Sequence, residues 1–463
     1  MAEIYLVNAE NREAHNAVHS AQIAAILIQR GLAYCWIPSL EWDGLAQRLN
    51  PGAGGTKTGG TCVVCVVGGI GNPCFMAMEP EVLSFIRKVK NMCPQAVIVM
   101  DGVSATVRFR WLLDQGVDIA LRGESDLTFA NVIDSFICQR NWRKIQGIAY
   151  LENSRLKDNG YGQLLDLNNA PLPLRRMVIK NKIRPESRFE VSTGRGCPFG
   201  CAICQPVSKN LAGAGIRNRP AKIICQELEE IIQEVGPHAV HFGCDTFTLN
   251  KQWVLELCQE IIDHNIKVPW SVGTRADAMD EEMAKAMKAA GCWEVGYGME
   301  AWDEALRNDY LGKNLSLRDA ESAVGITRMH GLAVCLTFII GLPTSGWKQT
   351  LANLWGNLKI IYRGRPERVL VSNAVPIPGT DFYFKSQKQT ILKPERHIRW
   401  NTQNFSGTNF IGISLFRILG ERWLMLLCWA LVRPVIALRK VVNKIRRRPF
   451  LGHEHLMRRY HIV

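Results

Sequence analysis

Twice along this chain, short unbroken apolar runs alternate with stretches of helical period, and few folds accept that pattern. Within 1–145 the apolar runs fall at 4–7, 33–37, 62–67, 96–100 and 119–121, with helical periodicity between them, as over 17–29 and 81–91. Strands that are apolar on both faces must be covered on both sides, so an α/β fold with a parallel, doubly wound, Rossmann-like sheet is expected. Its ligand would lie over the strand C-termini at the topological switch point. Within 188–385 the alternation restarts, with strands expected at 189–192, 239–242, 270–272, 294–297, 334–340 and 369–372 and helices between them, including 221–235, 251–263, 280–290 and 317–329. Six such units predict a partial (β/α)6 barrel of the TIM type, with active residues at the C-terminal strand ends.

A length of 463 residues is too great for one ordinary domain. The expected division is 1–145, a connector over 146–187 marked by Pro171-Leu172-Pro173, the barrel over 188–385, and a helical, apolar and basic segment over 386–463. Pro51–Gly60 reads as a flexible excursion. The content, 47% apolar and 21% charged, is that of a globular protein. Met1–Val7 runs directly into a strand without the features of a secretion signal, and fifteen cysteines then point to a reducing, cytoplasmic setting. Most of them read as small buried hydrophobes, as in Cys62-Val63-Val64-Cys65.

Three cysteines stand apart. Cys197, Cys201 and Cys204 lie in Gly194-Arg195-Gly196-Cys197-Pro198-Phe199-Gly200-Cys201-Ala202-Ile203-Cys204, just past the first strand of the second series. The spacing Cys-x-x-x-Cys-x-x-Cys offers three thiolates from one loop, and about 0.015 such triplets are expected by chance in this composition. A 4Fe–4S cubane normally takes four cysteines, so three would leave one iron open. Gly194, Gly196 and Gly200 are expected to let the backbone wrap closely around an inorganic core. The alternatives are a zinc site, which usually draws on paired Cys-x-x-Cys units, and three inert buried thiols.

The loop resembles that of the radical S-adenosylmethionine enzymes, and further segments are similar strand by strand. The resemblance implies that Cys197, Cys201 and Cys204 hold a 4Fe–4S cluster whose open iron chelates S-adenosylmethionine, which is cleaved to a 5′-deoxyadenosyl radical. It implies that Asp245, in Gly243-Cys244-Asp245-Thr246, meets the amino group of S-adenosylmethionine; the alternative is an N-cap. Arg275, in Thr274-Arg275-Ala276-Asp277, would take the methionine carboxylate, the alternative being an ion pair with Asp277. Glu300 would approach the ribose hydroxyls, and Gly341, in Ile340-Gly341-Leu342-Pro343, would pack against adenine. Pro376-Ile377-Pro378-Gly379-Thr380 is also frequent in relatives and reads as structural.

The N-terminal series resembles the cobalamin-binding domains fused to such enzymes. Arg122-Gly123-Glu124-Ser125-Asp126 matches their closing segment, and the loops Gly68-Gly69-Ile70-Gly71 and Asp101-Gly102-Val103-Ser104 follow strands three and four. Gly68, Gly69, Gly102, Ser104, Gly123 and Glu124 are the implied corrin contacts. Free-standing cobalamin domains use Asp-x-His-x-x-Gly, but here Glu13-Ala14-His15-Asn16-Ala17-Val18 departs at both ends, so His15, and still less His19, is not expected to ligate cobalt.

Residues 401–463 hold eleven Lys/Arg against Glu421 and Glu454, which is +9 of the net +14. Within 412–448 the longest uncharged run, Trp423–Val432, is too short to span a bilayer. Over 412–448 the alternatives are an interfacial helix giving peripheral membrane contact and a helical cap on the barrel; nucleic acid binding is not expected. The resemblance implies a cobalamin-dependent methyltransferase acting on an unactivated carbon of a small-molecule or lipid-like intermediate, fed by an electron donor such as flavodoxin or ferredoxin. A cyclase, oxidase or rearrangement enzyme of the same architecture is the alternative. A methylthiotransferase, or a non-catalytic cobalamin sensor or carrier, fits less well.

Overall fold

A computed structural model describes residues 2–9, 18–38, 61–68, 79–175, 189–204, 215–234, 236–340, 347–374 and 376–387, with isolated positions between and gaps at single residues. The chain forms two compact units, one drawn from Met1–Arg184, Phe189–Gly236 and Ile377–Lys385, the other chiefly from Pro237–Pro376.

The first unit is built on a seven-stranded sheet. In chain order its strands are β1 (Glu3–Asn8), β2 (Cys35–Ile37), β3 (Cys62–Val67), β4 (Val97–Met100), β5 (Ile119–Leu121), β6 (Ile148–Glu152) and β7 (Arg155–Asp158). In space the order is β2-β1-β3-β4-β5-β6-β7. The first five are parallel, and each lies where an apolar run was expected. The central strand shows why: every residue of Cys62–Val67 is buried, and successive side chains enter opposite cores. Cys62, Val64 and Val66 pack with Val82, Phe85, Ile86 and Val89 of helix Glu79–Met92. Val63, Cys65 and Val67 pack with Ile23, Ala24 and Leu27 of α1 (Val18–Gln29) and Phe129, Val132 and Ile133 of helix Asp126–Ile137. Each such side chain contributes about 1.5–3 kcal/mol on burial. Strand order reverses between β1 and β3, which sets the switch point there.

The stretch read as a plain connector opens with more structure than expected. β6 and β7 form a hairpin that runs antiparallel to β5 and extends the sheet. Its two-residue turn, Asn153 (φ +49°) and Ser154 (φ +63°), has the paired left-handed geometry that matches strand twist. Past this hairpin come β8 (Phe189–Ser192), β9 (Gly194–Arg195) and β10 (Arg217–Asn218), the last two paired antiparallel. A buried carboxylate fixes this region: Glu227 of helix Ala221–Glu234 meets Arg175 at 2.8 Å and Arg219 at 2.6 Å. The two arginines also donate to the carbonyls of Glu190 and Ser192, both in β8.

The second unit carries β11 (Val240–Gly243), β12 (Trp270–Thr274), β13 (Cys292–Glu300), β14 (Ala333–Ile340) and β15 (Arg368–Asn373), each parallel to the next. Helices return the chain between them, and three are opened by side-chain caps: Asn250, Asp280 and Ser316 accept from the amides of Trp253, Met283 and Asp319. Among the described residues the strand order is β15-β14-β13-β12-β11-β8, and β15 pairs only with β14, so the arc is open there, as a partial barrel requires. The C-terminal strand ends are thus gathered along one rim. Of the expected C-terminal segment, 388–463 lies outside the described residues, as does Pro51–Gly60. Among the described residues, no helix is long and apolar enough to cross a membrane.

Candidate active site

The cysteine loop leaves the C-terminal end of β8 through β9 and returns through β10, so a short antiparallel neck closes it. Cys197 and Cys201 are half-buried and Cys204 is exposed. A turn in which the Cys204 amide donates to the Cys201 carbonyl at 2.9 Å holds the last two together. Phe382, at the start of helix Asp381–Gln387, donates its amide to the Ala202 carbonyl at 2.9 Å. The segment Pro376–Thr380 therefore delivers a restraint on the loop, and Thr380 itself accepts from the Tyr383 amide. Of the three glycines, only Gly196 needs its freedom, at φ +89°; Gly194 lies in β9, and a Cβ on Gly200 would meet nothing within 4 Å. Among the described residues, no three His, Cys, Asp or Glu side chains converge where they could hold a single metal ion. A cubane asks for no such convergence, because each cysteine binds a different iron. Three partly accessible thiols on one restrained loop fit that group.

In the second unit Asp245, Arg275 and Glu300 follow or end β11, β12 and β13, three successive strands of the arc. Asp245 is exposed, and it does not cap the following helix, whose N-cap is Asn250. Arg275 is buried and forms a two-point ion pair with Asp277 (Nε–Oδ1 2.9 Å, Nη2–Oδ2 2.6 Å). Its Nη2 also donates to the Lys313 carbonyl at 2.8 Å.

Glu300 has φ +60°, a left-handed state rare outside glycine. It lies at a register shift between β13 and β14, where a bulge re-aims the side chain. Lys313 pairs with its carboxylate at 2.6 Å. Gly298 makes room for that pair: a Cβ there would stand 2.5 Å from Glu300 Oε1 and 2.7 Å from Lys313 Nζ. Arg307, fully buried, donates to the carbonyls of Ala301, Trp302 and Leu315 and so shapes the turn carrying Lys313. Sequence reasoning missed both cations, since no spacing ties them to Glu300. Gly341 lies outside the described residues.

The N-terminal strand ends hold a buried polar network. Gly68, after β3, donates its amide to Asp101 Oδ1 at 2.6 Å. Asp101 Oδ2 accepts from Ser125 at 2.6 Å and meets His19 Nε2 at 2.8 Å. His19 Nδ1 is 3.6 Å from Asp126. Gly102 (φ +91°) and Gly123 (φ +81°) are both left-handed, and the Gly123 amide donates to Thr106 at 3.1 Å. Ser104 is buried, with its carbonyl accepting from Arg108. Glu124 and Asp126 are fully buried and turn to the cysteine-loop neck: Arg195 reaches Glu124 at 2.8 Å and Asp126 at 2.7 Å, and Arg217 reaches Glu124. Burial opposes ionisation of Asp126, but Arg195 and His19 outweigh it and hold the carboxyl below the usual carboxylate range. Burial likewise disfavours the Arg195 charge, yet Asp126 and Glu124 raise its pKa above the ordinary value. His15 and Gly69 lie outside the described residues.

The Radical SAM superfamily model matches residues 191–352. An uncharacterized methyltransferase of Pyrococcus horikoshii is 27% identical over 296 residues, covering 63% of this chain and 63% of that protein. The anaerobic magnesium-protoporphyrin IX monomethyl ester cyclase of Cereibacter sphaeroides is 24% identical over 319 residues, covering 66% of this chain and 50% of that protein. The match thus spans about half to two thirds of these relatives' own lengths. Among solved structures, the radical S-adenosylmethionine methyltransferase TsrM from Kitasatospora setae, with cobalamin and a 4Fe–4S cluster bound, superposes with a TM-score of 0.65. The superposition covers 84% of this chain and 75% of that one at 16% identity, which shows a shared fold.

Proposed function

We propose, from the match of residues 191–352 to the Radical SAM superfamily model, that the protein is a cobalamin-dependent methyltransferase acting on an unactivated carbon. The observation that carries the reading is the restrained three-cysteine loop at the end of β8, in a chain that also holds a 2-1-3-4-5 parallel sheet. When bound, the cubane supplies the electron that cleaves S-adenosylmethionine, and methylcobalamin supplies the methyl group. The chain's own part is placement. Cys197, Cys201 and Cys204 hold the cluster; Asp245 and Arg275 meet the amino acid end of S-adenosylmethionine; Glu300, braced by Lys313, meets its ribose; Gly341 meets adenine. Gly68, Gly69, Gly102, Ser104 and Gly123 line the corrin side.

The same reading divides the chain into a cobalamin domain over 1–145, a connector, a barrel over 188–385 and a C-terminal segment. It takes a small-molecule or lipid-like substrate, with a flavodoxin or ferredoxin as electron donor. A cytoplasmic protein belongs to it as well, with peripheral membrane contact and a helical cap as the alternatives for 412–448; equal vesicle flotation with and without residues 412–463 would remove the first. The reading keeps the expectation, drawn from Glu13-Ala14-His15-Asn16-Ala17-Val18, of a cobalt without a histidine ligand. Bound cob(II)alamin should then give an electron paramagnetic resonance spectrum lacking nitrogen superhyperfine splitting, and that splitting would refute the point.

Anaerobic reconstitution followed by iron, sulfide and corrin quantitation tests the cofactors. Cys201→Ala should abolish reductive cleavage of S-adenosylmethionine, and retained cleavage would sink the assignment. The similarity to a cyclase keeps a second reading in view, ring closure without methyl transfer. Product mass separates the two, since methylation adds one methyl unit per turnover.

A further inference from the structure

The neck of the cysteine loop sets a problem that its own residues do not solve. β9 and β10 pair so that Arg195 and Arg217 are directly opposite, and like charges so placed repel. Both guanidiniums turn instead to Glu124, a carboxylate with no exposed surface on the segment after β5. Arg195 takes one oxygen and Arg217 the other. The same residues close a second circuit through Leu165, whose amide donates to Glu124 Oε1 at 2.9 Å and whose carbonyl accepts from Arg217 at 2.8 Å. Asp126 receives Arg195 at two points, 2.7 and 3.1 Å, as a planar fork allows.

Burying two carboxylates is costly, and apolar replacements of such groups are often as stable, so net stability is a poor reason for the arrangement. Direction is a better one. A carboxylate gripped at both oxygens fixes the two strands bounding the loop, and one residue, Gly196, separates Arg195 from Cys197. We propose that Glu124 and Asp126 are positioning residues that clamp the neck of the cysteine loop through Arg195 and Arg217, and so set where Cys197, Cys201 and Cys204 stand. The consequence for the cluster rests on the reading of those cysteines as its ligands; the clamp itself does not. Glu124, which the sequence resemblance places against the corrin, serves the cluster loop instead.

Hydrogen exchange and cluster retention test this together. In the unloaded protein, Glu124→Gln and Asp126→Asn should speed amide exchange across 189–204 and 215–222 by about tenfold or more, as losing a charged hydrogen bond would. Helix Asp126–Ile137 should keep its exchange beyond the first turn. In the loaded protein the same variants should lose iron to a chelator faster and shift the spectrum of the reduced cluster. Arg217→Met, at a side chain a quarter exposed, is the arm that remains should Glu124→Gln fail to fold, with the same two changes expected. Wild-type exchange across both segments and wild-type iron retention in the folded variants would overturn the clamp. A wild-type protein that takes up no iron would refute the cluster reading, while the exchange arm would still decide the clamp.

Discussion

Glu300 shows how much of the site is decided by single residues. Its left-handed backbone costs about 1–3 kcal/mol, a strain that persists only where the surroundings impose it. The surroundings are Lys313, which holds the carboxylate, and Gly298, which leaves space for both. Gly298→Ala should therefore displace the pair and raise the KM for S-adenosylmethionine about tenfold, if about 1.4 kcal/mol of binding is lost. An unchanged KM in a folded variant would show that the pair does not meet the cosubstrate. The cysteines divide at the same scale. Burial pushes the Cys62 and Cys258 thiols up to about 12, and Cys292 well above its ordinary value. Native unloaded protein treated with iodoacetamide should label Cys204 and Cys138, both exposed, and spare Cys62, Cys258 and Cys292. Labelling of the buried set at the rate of Cys138 would contradict the packing.

At the scale of elements, helix Ala221–Glu234 is tied to β8 by charge, through Glu227, Arg175 and Arg219. Burial works against the Glu227 carboxylate, but Arg219 and Arg175 outweigh it and hold its pKa below the ordinary carboxylate value. A carboxylate with a depressed folded pKa stabilises above its unfolded pKa, about 4.3, and that stability is lost as pH falls through the folded value. Denaturation midpoints should thus drop for the wild type below about pH 4. Glu227→Gln, which strands two buried arginines, should cost about 3–5 kcal/mol at pH 7 and flatten that acid limb. An acid limb as steep in the variant would assign it to other carboxylates. Elements of this kind were largely legible beforehand, because continuous burial leaves continuous apolar runs, as in β3 and β14. The hairpin Ile148–Asp158 was missed because Asn153-Ser154 is a weaker turn signal than Asn-Gly. The ion networks were missed because Arg175, Glu227, Glu124 and Arg195 meet only through the fold.

Over the whole molecule, the candidate residues fall in two α/β units. A parallel sheet ordered 2-1-3-4-5, with the restrained cysteine loop, belongs to the first. The rim of strand ends with Asp245, Arg275 and Glu300 belongs to the second. Motif spacing revealed the cysteines and the rim residues, since both follow single strands. The pairing of Arg275 with Asp277 was one of the two readings its motif offered, whereas the hold of Glu124 on the loop neck needed three dimensions. An open iron at the cysteine loop is what the proposed chemistry requires above all. Mössbauer spectroscopy of anaerobically reconstituted, ⁵⁷Fe-loaded protein tests it most directly, recorded without and with S-adenosylmethionine. The prediction is a cubane in which a single iron changes its isomer shift when the cosubstrate is added. No cubane, or a cubane whose irons are all indifferent to S-adenosylmethionine, would contradict it.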